Sequence, residues 1–76
     1  MSDDVEVLAT MRQSDADDYI WIVEPTVDYR ATFQVGAARF AQVKEWAIGE
    51  YHNHGATKLK WHNVSRGHWE LRGVLS

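Results

Sequence analysis

The 76-residue chain is expected to fold as an α+β two-layer sandwich, a four- or five-stranded, mainly antiparallel sheet with one helix packed on it. Three observations predict this. Val27, Tyr29, Ala31, Phe33 and Val35 alternate with Thr26, Asp28, Arg30, Thr32 and Gln34, the period of a half-covered strand. Over residues 37–53 the period lengthens, placing Phe40, Val43, Ala47 and Tyr51 on one helical face with Ala37 and Ile48 at its edge; Gly55 supplies a C-terminal stop. From Lys58 to Arg72 two alternating runs flank a turn at Gly67, the pattern of a hairpin.

In chain order, Val5, Val7, Ala9 and Met11 share one parity within residues 5–12, which suits a first strand, although Ala, Leu and Met also suit a short helix. Gln13 to Asp18 is a polar turn rich in Asp. Tyr19 to Val23 is a continuous apolar run expected in a well-covered central strand, and Pro25 ends it. Its facing depends on the next connection. A two-residue loop at Pro25-Thr26 puts Tyr19, Trp21 and Arg30 on the polar face, whereas a three-residue loop sends Tyr19 and Trp21 into the core. In the helix, Trp46 projects about 120° from Phe40, off the apolar stripe. It reads either as a tryptophan wrapping a sheet edge or as an anchor at a partner interface.

Keeping Leu59, Trp61, Trp69 and Leu71 on one face of the hairpin requires paired residue numbers with an even sum. A three-residue loop, Ser65-Arg66-Gly67, satisfies this and places Gly67 where the bulge after a type I turn needs a left-handed residue. A five-residue loop, Asn63 to Gly67, is the alternative and pairs His62 with His68. The shorter loop is preferred because it accounts for Gly67. It sets Trp61 against Leu71, Lys60 against Arg72 and His62 against Glu70, leaving Lys58, Lys60, His62, His68, Glu70 and Arg72 on the polar face.

Without repeat or linker, residues 1–76 read as a single domain. A domain this small buries only about 60% of its unfolded surface. The absence of cysteine excludes disulfides, thiolate zinc sites and thiol nucleophiles, so the four tryptophans are expected to carry much of the core. Residues 1–30 hold eight acidic against two basic side chains, a balance of −6; the remainder holds three acidic against six basic, a balance of +3. Such asymmetry marks an interaction surface, or is cancelled where a sheet sets acidic and basic strands side by side. The first residues lack the basic start and apolar run of a secretory signal, and no apolar run approaches the roughly 20 residues needed to span a bilayer. A cytoplasmic chain with no membrane partner is expected.

No Gly-x-Ser-x-Gly elbow, His-Glu-x-x-His pair or phosphate-cradling glycine loop occurs, and Ser14 and Ser65 fall in predicted turns. The chain is not expected to be an enzyme or to carry a cofactor. Asp15, Asp17 and Asp18 lack the glycine and distant glutamate of a calcium loop. His52, His54, His62 and His68 make a histidine-based metal site a minor alternative, but His52 and His54 lie about 200° apart on a continuing helix and no ligand set is assigned.

The leading expectation is a small non-enzymatic binding, inhibitory or adaptor protein that acts on a protein partner through Trp46, Lys58, Lys60, His62, His68 and Arg72. Small accessory proteins of mobile elements share this general character, without a motif that identifies a family here. The alternative is nucleic-acid binding through Trp21, Arg30, Lys58, Lys60, Arg66 and Arg72, since aromatic groups beside cations on a sheet suit single-strand stacking. The net charge of −3 counts against it. A homodimer built on a sheet edge or on Trp46 is a further expectation.

Overall fold

The computed structural model describes residues 4–25 and 32–75. Strands β1 (Glu6–Gln13), β2 (Ile20–Pro25) and β3 (Phe33–Gly36) precede a 3-10 turn (Ala37–Arg39) and helix α1 (Phe40–Asn53), followed by β4 (Thr57–Ser65) and β5 (His68–Val74). The five strands form one antiparallel sheet in the order β3-β2-β1-β5-β4, with α1 packed on one face. This is the expected α+β architecture. The last strand lies beside the first, so β3 and β4 become the edges, and α1 carries the chain from one edge to the other. Of the alternating run that begins at Val27, residues 26–31 lie outside the described residues; the described part includes β3.

β1 departs from the simple alternation expected of it. Its register with β5 runs Val7 to Arg72 and then Ala9 to Leu71, leaving Leu8 as an extra residue in a β-bulge. One inserted residue reverses the facing of everything before it. Val5 is therefore exposed and Val7 pairs with Arg72, while Leu8, Ala9 and Met11 are buried. The bulge is fastened from the helix, where Tyr51 Oη donates a hydrogen bond to the Leu8 carbonyl at 3.0 Å. Tyr51→Phe is expected to destabilise the fold by about 1–2 kcal/mol, because it leaves a buried acceptor short of a donor. A lowered urea midpoint at unchanged slope would register this; an unchanged midpoint would mean that the hydroxyl contributes nothing net.

The helical stripe falls where the period placed it: Ala47 and Tyr51 are buried, and Phe40, Val43 and Ile48 are half-buried. The α-helix itself starts at Phe40 rather than Ala37. No side chain caps either helical start; the Ala37 N–H instead donates to the Tyr19 carbonyl at 2.7 Å, and the first turn tightens into 3-10 geometry. The other end closes as expected. Gly55 takes φ 95°, its N–H donates to the His52 carbonyl, and the Ala56 N–H reaches back to the Tyr51 carbonyl, both at 3.0 Å. Ala56 then packs with Tyr51 in the core.

Along its length α1 covers two adjoining groups. Ala47 and Tyr51 pack with Leu8, Ala9 and Leu71, whereas Phe40 and Val43 pack with Met11, Trp21 and Val23. Trp61 touches both groups, and its indole N–H donates to the Lys44 carbonyl at 3.0 Å, tying β4 to α1. Trp21 pairs across the sheet with Val35, and its ring centroid lies 4.5 Å from that of Phe40. It belongs to the core, 8% exposed, and not to the polar sheet face. Tyr19, just before β2, is exposed rather than buried with it.

Candidate functional site

The hairpin supplies most of the expected site residues, so its register decides which of them meet. Lys60 pairs with Arg72, Trp61 with Leu71 and His62 with Glu70. That is the preferred register, and it does not pair His62 with His68. Near the turn the register shifts at Val64, so that Asn63 pairs with Trp69 but Ser65 pairs with His68. The loop is accordingly two residues, Arg66-Gly67, instead of three. Gly67 takes φ 75° while Arg66 stays on the negative side, the sign pattern of a type II turn. Asn63 Nδ2 holds the bulge by donating to the Ser65 and His68 carbonyls at 2.9 and 3.1 Å.

On the sheet face away from α1, Lys60, His62, Glu70 and Arg72 continue across β1 and β2 through Thr10, Arg12 and Glu24. Two of the arginines are partnered there. Arg12 Nε lies 2.8 Å from Glu24 Oε1, and Arg72 Nη2 lies 2.9 Å from Glu70 Oε1. Such surface pairs add little stability, but each removes a free cation from the face. Lys58, Lys60 and Arg66 are exposed and have no ion pair among the described residues. Arg30 lies outside the described residues, and Trp21, being in the core, is not available for base stacking. The set expected for nucleic acid thus loses its aromatic member and the free charge of Arg72.

The histidines are dispersed. His62 faces Glu70, His68 faces Ser65, and His54 Nε2 lies 3.6 Å from Glu50 Oε1 at the end of α1. Among the described residues no three His, Asp or Glu side chains converge as a metal would need. The acidic turn is held locally, with the Ala16 N–H donating to Ser14 Oγ and the Tyr19 N–H to Asp17 Oδ1.

A different surface emerges where α1 overlies β4. A groove of about 420 Å³ runs between them, its apolar wall made by Phe40, Ala41, Ile48, Leu59 and Trp61. Lys44, Glu45 and Lys60 supply its charged groups. Lys44 is fixed in place by aromatic rings: its Nζ lies 3.7 Å from the Trp69 ring centroid and 5.1 Å from that of Phe40. Among the described residues it has no carboxylate partner. Trp46 is 43% exposed, but helical geometry puts it roughly 150° from the flank that carries Ala41, Lys44, Glu45 and Ile48. It therefore does not share a surface with the groove.

The chain matches no family model, and no curated protein or solved structure is significantly similar to it. No helix among the described residues is long and apolar enough to cross a membrane.

β4 borders the groove as an edge strand of nine residues. Its start is bulged, because the register shifts between Thr57 and Lys60 and Lys58 takes φ 56°, a left-handed conformation that a β-carbon disfavours. The groove was hidden from sequence reasoning because its walls are 11 or more residues apart in the chain and meet only through the strand order. The sequence signal that pointed nearest to it was the run Lys58-Leu59-Lys60-Trp61, alternately cationic and apolar.

Proposed function

We propose that the protein is a small binding protein, inhibitory or adaptor in effect, whose partner is another protein seated at the groove between α1 and β4. The observation that carries this reading is the coincidence of an open apolar groove with a sheet edge that pairs with no further strand among the described residues, bordered by cations. Pockets lined by apolar and aromatic groups with a few placed charges are ordinary recognition sites, and exposed strand edges are ordinary peptide-docking sites. Of the residues expected at a partner surface, Lys58 and Lys60 stand on this edge; His62 and Arg72 continue onto the open face. His68 lies near the turn, and Trp46 sits on the other flank of the helix.

Filling the groove tests the reading. Ala41 is exposed on its wall, so Ala41→Trp is expected to leave the melting temperature within a few degrees while reducing capture of a specific protein partner by about tenfold or more. Equal capture by both forms would overturn the assignment of this site. Capture that nuclease treatment abolishes, or tight salt-sensitive binding to labelled single-stranded DNA or RNA, would favour the nucleic-acid alternative instead.

A further inference from the structure

We infer that the occupant of the groove is an extended segment of alternating apolar and acidic residues, which adds to β4 as a further strand of the sheet; this rests on the protein-binding reading and specifies its partner. Among the described residues, the outer side of β4 is paired with no strand. An edge of this kind presents backbone N–H and C=O groups to an incoming peptide, and the side chains of the added strand alternate between the two faces of the sheet.

On β4 those two faces differ in chemistry. On the side of α1 an added strand runs past Leu59 and Trp61 and into the apolar groove completed by Phe40 and Ile48. On the other side it runs past Lys60 and His62, in line with Arg72 and Glu70 of β5. Lys58 precedes them inside the bulge, off the regular alternation, and neither lysine has an ion pair among the described residues. Carboxylates directly across from these cations stabilise strand pairing, whereas like charges oppose it. Within the groove, Lys44 offers a further cation and Glu45 an opposing anion.

The same charges disfavour a second copy of the chain as the occupant. A two-fold antiparallel pairing of β4 with itself centred on Lys60, where the strand alternates regularly, sets that lysine against its own copy. Lysines on an edge commonly guard against self-pairing. They do not repel an acidic strand.

The probe is a labelled peptide, Glu-Val-Glu-Phe-Glu-Val-Glu-Val, titrated against the full chain beside its Lys-for-Glu counterpart. Binding about tenfold or more tighter for the glutamate peptide, weakened by salt and inverted in favour of the lysine peptide by a Lys58→Glu/Lys60→Glu variant, is expected. Two N-methylated forms of the peptide, blocked at odd or at even positions, separate strand addition from loose charge attraction. One form should bind and the other should not, because alternate N–H groups of a strand point to opposite sides. Affinities of the two parent peptides within about threefold, or equal binding by both methylated forms, would overturn the inference. A protein partner whose capture is lost in Ala41→Trp but is not displaced by excess glutamate peptide would keep the protein-binding reading and refute strand addition. Capture indifferent to Ala41→Trp would refute both.

Discussion

Leu71→Ala is expected to remove about 2–5 kcal/mol of stability, the range for truncating a fully buried leucine. Leu71 is 0% exposed and sits on β5 between β1 and β4, paired with Ala9 on one side and Trp61 on the other. A cavity there opens beneath Tyr51 and Ala47, among Leu8, Ile48, Leu59 and Trp61, whose rearrangement would have to fill it. At about 0.05–0.15 kcal/mol per residue, a chain of 76 residues has roughly 4–11 kcal/mol in total. The substitution therefore takes a large share, and the melting midpoint should fall by more than about 10 °C. Val64→Ala is the matched control. Val64 is 47% exposed at the hairpin bulge, so its truncation should stay within about 0.5 kcal/mol. A loss below about 1 kcal/mol at Leu71 would show that the strands on either side can collapse into the space.

Periodicity made α1 and the hairpin legible because each repeats a side-chain facing over enough residues to overrule single exceptions. Phe40, Val43, Ala47 and Tyr51 mark one face of a helix, and the even-sum rule for Trp61, Trp69 and Leu71 selected the observed pairing of Lys60 with Arg72. Bulges defeat that logic. Leu8 and Lys58 each add a residue to one strand without any compositional mark, and so Val5 and Val7 lost the inward facing that alternation implied. Val64 likewise shortened the predicted loop to Arg66-Gly67. Trp21 was ambiguous for a related reason: a continuous apolar strand carries no parity of its own, and only its pairing with Val35 put it under Phe40.

The candidate site was less legible than the fold. Lys58 and Lys60 were correctly placed together on one strand, but which strand would be an edge is a property of the order β3-β2-β1-β5-β4. That order depends on β5 pairing with β1 across most of the chain, a long-range contact that no local pattern encodes. Although that pairing sets the two halves side by side, the ion pairs given for the described residues each fall within one half. Arg12 turns to Glu24 within the N-terminal half, and Arg72 to Glu70 within the C-terminal half. The lysines of β4, two strands away from β1, keep their charge available at the edge.

Gly73→Ala should be the most informative substitution for the architecture of that edge. Gly73 is buried on β5, and a β-carbon built there would lie 2.7 Å from Leu59 Cδ2, 3.0 Å from the Thr57 carbonyl oxygen and 3.2 Å from Leu8 Cδ1. Those neighbours belong to the two bulges, one on each flanking strand, so the missing side chain is what lets both bulged strands approach β5 together. The leucine tips can rotate, but the Thr57 oxygen moves only with the backbone of β4. Overpacking of this kind destabilises by about 1–3 kcal/mol, and Gly73→Val should exceed Gly73→Ala. Lys58→Gly acts oppositely: relieving a left-handed β-carbon should leave stability unchanged or raise it by up to about 1 kcal/mol. The functional consequence separates this strain from general loosening. Because a bulge sets the local twist of its strand, Gly73→Ala should shift the amide resonances of residues 57–61 and weaken capture at the groove more than Tyr51→Phe does at equal loss of stability. Equal weakening by the two variants would mean that the edge needs only a folded domain behind it, and not the bulged path that Gly73 permits.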